Sequence, residues 1–116
     1  EHKRIADRIW STSVNDAATL HCMQHIYAEY GYIADPHTSV GLEALQRYRN
    51  SGLSGIADRA IVLSTAHPGK FRETVQQALE FEPDLPPALK RCLDMDKQAQ
   101  PFANRFEEFK EFLWTL

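Results

Sequence analysis

Two short motifs place hydroxyl, imidazole and carboxylate groups close together in the chain. The first is Asp35-Pro36-His37-Thr38-Ser39-Val40-Gly41, and the second is Leu63-Ser64-Thr65-Ala66-His67-Pro68-Gly69-Lys70-Phe71. Each motif lies where a predicted secondary-structure element begins or ends. Backbone N–H groups and short polar side chains at such junctions are well placed to hold a ligand. The sequence therefore predicts ligand binding at one or both motifs.

Composition narrows the classes of protein to which the chain can belong. Its 116 residues, with 43% hydrophobic and 25% charged residues, suffice for one domain with a modest core. The net charge of −3, with both signs mixed along the chain, provides no basic surface for nucleic acid. No apolar stretch is long enough to span a bilayer, and the charged N-terminal residues are unlike a signal peptide. We therefore expect a cytoplasmic protein that binds neither nucleic acid nor membranes.

Cysteine and histidine spacing predicts no metal site. Cys22 and Cys92 are isolated from each other and from other ligands, so we expect two buried, reduced thiols. His21 and His25 are spaced for one helix face, but no third ligand accompanies them. We interpret both histidines as core or surface residues.

Hydrophobic periodicity predicts a mainly α-helical chain with one short buried strand. The predicted strand is Arg59–Thr65, whose continuous apolar run suits a strand covered on both faces, as in a parallel sheet. A short helix is expected around Ile5, Ile9 and Trp10. A further helix is predicted to begin after a cap at Ser13 or Asn15 and to end before Gly31. The remaining helices are predicted over 36–50, 71–81, 85–95 and 106–113.

The predicted strand has no partner of comparable quality in the chain. A buried strand needs neighbours because each of its N–H and C=O groups must be hydrogen-bonded. Either the rest of the sheet lies outside this chain, or the segment folds differently here. We favour the first alternative and expect residues 1–116 to be a single unit, without an internal boundary, of a larger α/β enzyme.

Both motifs resemble segments near the C-terminus of threonine synthases. Residues 31–41 resemble a Gly-Tyr-x-x-Asp-Pro-His-Thr-Ala-Val segment of that family. Residues 61–71 resemble its apolar strand followed by Thr-Ala-His-Pro-Ala-Lys-Phe, with Gly69 in place of the usual alanine. The order of the motifs, their separation and the Phe-rich terminal helix also match, so the resemblance covers nearly the whole chain.

The resemblance implies a function for a longer parent protein. Threonine synthases are pyridoxal-phosphate lyases of the tryptophan synthase β-like fold (fold type II). They convert O-phosphohomoserine and water into threonine and phosphate. The family's Schiff-base lysine belongs to an upstream Ser-Phe-Lys-Asp-type motif, and this chain has neither that motif nor a Gly-rich phosphate loop. The chain alone is therefore expected to contain no catalytic residue, to bind no cofactor and to be inactive.

The resemblance also implies binding roles within that parent. Thr65, with Ser64 as second candidate, is expected to meet the pyridine nitrogen of the cofactor; the alternative is a hydroxyl bonded to its own turn. His67 and Lys70 are candidates for substrate phosphate, against a helix-capping histidine and a solvated lysine. His37 and Thr38 are further candidates for an anionic ligand, and Asp35 is expected to cap the helix that contains them.

Three interpretations of function stay open. The first is the C-terminal segment of a threonine synthase, whose partners are the upstream domains of the same enzyme. The second is the same segment of a related phospho-lyase that eliminates phosphate without making threonine. The third is a non-catalytic helical interaction module. The first interpretation also leads us to expect self-association of the chain, because a cut domain exposes apolar surface.

Overall fold

The computed structural model describes residues 9–53 and 59–116. Within these residues the elements are α1 (Asp16–Tyr30), α2 (Pro36–Asn50), the 3₁₀ helix Pro68–Phe71, α3 (Arg72–Leu79), α4 (Pro87–Leu93) and α5 (Phe106–Leu113). Contacts group the chain into two compact units, Glu1–Pro86 and Pro87–Leu116. The expectation that residues 1–116 form one catalytic-domain segment stays a prediction. None of the described helices combines the length and the apolar character needed to cross a membrane.

Local signals define α1 and α2. Of the two caps predicted for α1, Asn15 is the one that the structure uses, and the predicted end of α1 and both predicted bounds of α2 are confirmed. The Asn15 side chain accepts a hydrogen bond from the Ala18 N–H at 2.9 Å and caps α1. Gly31 ends α1 with a positive φ of 64°, a conformation that glycine adopts without a steric penalty. Asp35 caps α2, and Pro36 occupies a first-turn position where its missing N–H is not needed.

A small core holds the first unit together. Met23 of α1 and Val75 of α3 are fully buried, and Ala78 packs beside them. Leu20, Ile33 and Leu79 are partly buried against this cluster. Helix α1 therefore packs against α3 through the core and also contacts α2.

The buried strand predicted over Arg59–Thr65 is not formed. These residues are neither helical nor paired in a ladder, and no strand occurs within 9–53 or 59–116. Ile61 and Leu63 are 93% and 75% exposed. The physical reason is that the described part of the chain supplies no second strand to pair with this backbone and cover Ile61 and Leu63.

Other predicted elements differ at their ends. The helix predicted around Ile5 falls partly on residues 1–8, which lie outside the described residues, and Ile9 and Trp10 are not helical. The helix predicted over 71–81 begins as the 3₁₀ helix and stops at Leu79, because Glu80 takes a positive φ of 64°. The helix predicted over 85–95 is shortened to α4.

The second unit consists of α4, α5 and the connector between them. Helix α5 has the bounds that its phenylalanine spacing predicts. The Phe102 ring packs against Phe109 and Phe112, with ring centroids 5.9 and 4.7 Å apart. None of the residues in α4 or α5 is buried. Contacts among the three phenylalanine rings therefore hold this unit together without a buried core.

The small core makes the first unit sensitive to side-chain truncation. We expect Met23→Ala to lower the free energy of unfolding by about 2–5 kcal/mol, because it removes a fully buried side chain and leaves a cavity. Met95→Ala is the matched control, since that side chain is 67% exposed and its loss should change little. Urea denaturation measures both variants, and equal effects would contradict the core described above.

Candidate functional site

The carboxylate of Asp35 organises the first motif. The residue is 1% exposed, yet its side chain is fully hydrogen-bonded. Its Oδ1 accepts the His37 N–H at 3.0 Å and lies 3.1 Å from Nδ1 of the His37 ring. Its Oδ2 accepts the Thr38 hydroxyl, and the Ser39 hydroxyl donates to its backbone oxygen at 3.0 Å. Asp35 is therefore more than the helix cap that the sequence predicts.

These hydrogen bonds keep Asp35 ionised. Burial by itself raises the pKa of its carboxyl group, because water no longer solvates the charge. Hydrogen bonds from the Thr38 hydroxyl and from the N–H and ring of His37 favour the charged form and bring the pKa below its ordinary value. The carboxylate is therefore an acceptor at neutral pH, and any ring nitrogen bonded to it is a donor.

Three contacts bring residues 31–41, which contain the first motif, against residues 61–71, which contain the second. The His37 ring packs against the Phe71 ring, with centroids 4.9 Å apart. Glycine at position 41 allows a close approach of the second motif, because a Cβ there would lie 3.0 Å from Val62 Cγ1. A third contact joins the Tyr32 hydroxyl to the Ser64 hydroxyl across 3.4 Å. Sequence reasoning missed Tyr32, although it stands in the motif that carries the family resemblance.

A cleft of about 900 Å³ lies beside this junction, between α1, α2 and residues 62–64. Of the predicted site residues, Thr38 and Ser64 line it. Its charged lining includes Glu29, Glu43 and Arg49, which sequence reasoning had not selected. These charges lie on opposing faces of α1 and α2, and only the packing of the two helices brings them into one cleft.

The other predicted site residues lie outside the cleft. Nδ1 of His67 accepts the Gly69 N–H at 3.0 Å and caps the 3₁₀ helix, which favours the capping alternative for this histidine. Thr65 and Lys70 are exposed. The roles of Thr65, Ser64, His67, Lys70, His37 and Thr38 in binding stay predictions.

The two cysteines differ in their surroundings. Cys22 is buried, and burial raises the pKa of its thiol, with a further increase from the Glu43 carboxylate. It therefore stays a protonated thiol rather than a nucleophile. Cys92 is exposed, so the prediction of two buried thiols is wrong for this residue. Helix α4 has no buried residue, and the periodicity that placed Cys92 on an inner face does not determine burial.

Comparisons with known proteins identify the family. Residues 38–113 match the family model described as "Threonine synthase, C-terminal". The chain belongs to the threonine synthase C-terminal family. The threonine synthase of Serratia marcescens is 34% identical over 104 residues, which cover 90% of this chain and 23% of that protein. The Escherichia coli threonine synthase is 36% identical over 83 residues, covering 72% of this chain and 18% of that protein.

A solved structure supports the same assignment. The crystal structure of PLP-bound threonine synthase from Brucella melitensis matches 96% of this chain with a TM-score of 0.73 and 25% sequence identity. The match covers 23% of that structure's chain. The present chain thus spans about a quarter or less of the length of its threonine synthase relatives. It corresponds to their C-terminal segment, as the two motifs predict.

The approach of Gly41 to Val62 can be tested with a double-mutant cycle. In a Val62→Ala background, Gly41→Ala should raise the free energy of unfolding by about 1 kcal/mol, because alanine is the better helix former. With Val62 present, overpacking of the new Cβ should cancel that gain or reverse it. Denaturant titration of the four proteins gives the coupling energy, and additive effects would show that the two motifs do not touch here.

Asp35 should make stability depend on acid pH. Its pKa is lower in the folded protein than the ordinary value of 3.8, so the folded form gains stability from its charge above that pH. This contribution should fade as the pH falls below 3.8 toward the lower folded-state pKa. Asp35→Asn should flatten this part of the stability profile, whereas Asp84→Asn, at an exposed site, should leave it unchanged. Equal profiles for all three proteins would contradict the ionised carboxylate.

Proposed function

We propose that this chain is the C-terminal part of a pyridoxal-phosphate lyase that converts O-phosphohomoserine and water into threonine and phosphate. The observation that carries the proposal is the family match over residues 38–113, which includes Thr38–Gly41 of the first motif and all of the second. The Serratia marcescens and Escherichia coli relatives are threonine synthases, and the Brucella melitensis enzyme is a PLP-bound threonine synthase. A cytoplasmic location fits this function.

The second motif fits one edge of the cofactor. Pyridoxal phosphate, when bound, supplies an electron sink for the reacting amino acid. Thr65 ends the apolar segment and is exposed, and its hydroxyl is a neutral group that can hydrogen-bond a pyridine nitrogen without forcing its protonation. The hydroxyl of Ser64 faces the cleft and is the second candidate. These residues would orient the cofactor ring and leave its phosphate to the rest of the enzyme.

The remaining cofactor contacts belong to upstream domains. None of the chain's lysines, which include Lys70, Lys90, Lys97 and Lys110, stands in a Ser-Phe-Lys-Asp-type context. The described part of the chain also places no glycine-rich loop before a helix. We therefore infer that cofactor and substrate lie between this segment and the upstream domains, and that the segment alone is inactive.

The exposed apolar segment supports this assembly. Ile61 and Leu63 are apolar residues facing solvent on a backbone stretch without ladder partners. Such a stretch is a ready template for pairing with another strand. Strands of the upstream domains would pair with residues 59–65 and cover both side chains. The need to cover residues 59–65 argues against an independent helical interaction module, because such a module would leave Ile61 and Leu63 exposed.

The activity is tested with the full-length enzyme. Incubation with O-phosphohomoserine and pyridoxal phosphate should release phosphate and threonine in equal amounts. Phosphate release without threonine would favour the related phospho-lyase, and neither product would contradict the proposed function.

Thr65 is tested within the same assay. Thr65→Ala should lower kcat/KM roughly 3- to 10-fold because it removes a neutral hydrogen bond worth about 1 kcal/mol. Thr65→Ser should retain most of the activity, and Thr12→Ala, at another exposed threonine, should match the wild type. If Thr65→Ala lowered Tm as well as activity, the hydroxyl would have a structural role. If it behaved like Thr12→Ala, the proposed cofactor contact would be contradicted.

A further inference from the structure

The His37 ring is held on two sides and open on a third. Its Nδ1 lies 3.1 Å from Oδ1 of Asp35, and its ring plane packs against Phe71 with centroids 4.9 Å apart. The His37 side chain is nevertheless 62% exposed, whereas that of Asp35 is fully buried. An exposed imidazole would ordinarily sample several rotamers. Here the carboxylate and the phenylalanine together define its orientation.

The carboxylate also decides which ring nitrogen carries the proton. An ionised carboxylate is only an acceptor, so Nδ1 of His37 must be the donor. In the neutral ring the lone pair is then on Nε2, and in the imidazolium ring Nε2 carries a second N–H. Within residues 9–53 and 59–116, the hydrogen bonds of this ring are confined to Nδ1, so Nε2 is available to a ligand.

Two other histidines have the opposite arrangement. Nδ1 of His67 accepts the Gly69 N–H, so the proton of its neutral ring is on Nε2. Nε2 of His25 lies 3.1 Å from a carboxylate oxygen of Glu29 and is the donor in that pair. His37 is therefore the one of these three histidines whose neutral ring presents an unprotonated Nε2.

We propose that Asp35 is a positioning residue that fixes the tautomer and ring plane of His37, so that Nε2 meets the phosphate group of the substrate. This inference rests on the proposed function, which supplies a phosphorylated amino acid as ligand. A protonated Nε2–H forms a charge-assisted hydrogen bond to a phosphate oxygen. The neutral ring accepts a proton at the same atom from a monoprotonated phosphate. The protonated and the neutral ring therefore contact phosphate through the same atom, Nε2, whose position is fixed by the contact of Nδ1 with Asp35.

The packing of the two motifs gives this atom its location. Phe71, which supports the ring, follows Lys70 directly in the 3₁₀ helix. His37 thus stands where α2 begins and where the second motif turns into α3. His37 belongs to the first motif and its ring rests on a residue of the second, which suits a segment that forms one wall of a shared site.

The tautomer can be read without any activity measurement. Full-length protein with ¹⁵N-labelled histidine is examined by long-range ¹H–¹⁵N NMR, with His37→Gln and His67→Gln providing the assignments. At neutral to mildly basic pH, the His37 ring should carry its proton on Nδ1 and the His67 ring on Nε2. An Nε2–H tautomer at His37 in the wild type would overturn the proposal, whether or not the enzyme makes threonine.

Asp35→Asn then tests the cause. The asparagine oxygen still accepts the His37 N–H and caps α2, but the amide lacks the charge that selects the Nδ1–H tautomer. We expect mixed tautomers at His37 in this variant and an unchanged ring in Asp84→Asn. An unaltered His37 tautomer in Asp35→Asn would overturn the role of Asp35. Should Asp35→Asn fail to fold, the wild-type spectrum still decides the tautomer.

Inorganic phosphate, a product of the proposed reaction, probes the ligand. Its titration should shift the His37 Nε2 resonance saturably and leave His25 unchanged. Asp35→Asn should weaken phosphate binding several-fold, His37→Gln should abolish the contact, and His25→Gln should bind as the wild type does. Absence of the His37 shift while threonine is formed would overturn the phosphate contact and leave the proposed function standing.

Discussion

The buried carboxylate of Asp35 is the interaction on which the geometry of the candidate site depends. Burying a charge costs several kcal/mol unless hydrogen bonds replace the lost water. Backbone and side-chain donors of His37 and Thr38 supply those bonds. The same bonds start α2, place Thr38 at the cleft and orient the His37 ring against Phe71. One desolvated anion thus couples a helix start, a cleft wall and the contact between two motifs.

The second motif is positioned by side-chain contacts rather than by hydrogen bonds to a neighbouring β-strand. Gly41 lets Val62 approach α2, and the hydroxyls of Tyr32 and Ser64 meet across the cleft edge. Beyond these contacts, Ile61 and Leu63 remain exposed on a backbone that is neither helical nor paired as a strand. This combination fits the proposed function, in which strands from the rest of a longer enzyme would cover Ile61 and Leu63. The chain's share of its relatives' length agrees with this view.

Prediction from the sequence succeeded where the physics is local. Asp35 and Pro36 act within one helical turn, so they correctly placed the beginning of α2, and Asn15, one of the two predicted caps, begins α1. Burial is not local, and the Arg59–Thr65 prediction failed because an apolar run becomes a buried strand only when other strands pair with it. The prediction that Cys92 is buried failed for the same reason, since an apolar helix face is buried only where another element covers it. The end of α3 depended on Glu80 adopting a left-handed conformation that its residue type does not announce.

The sequence by itself determined the family, the positions of the main helices and the residue types available for binding. Two motifs of this specificity, in this order, suffice for the family because each combines several uncommon residues at fixed spacing. Only the tertiary structure decided that His37 rests on Phe71, that Ser64 faces Tyr32 and that Asp35 bonds the His37 ring as well as its backbone. The first two contacts join residues more than thirty positions apart, beyond the reach of helical or strand periodicity. The contact between Asp35 and the His37 ring depends on the rotamers of both side chains, which tertiary packing selects and the sequence does not specify.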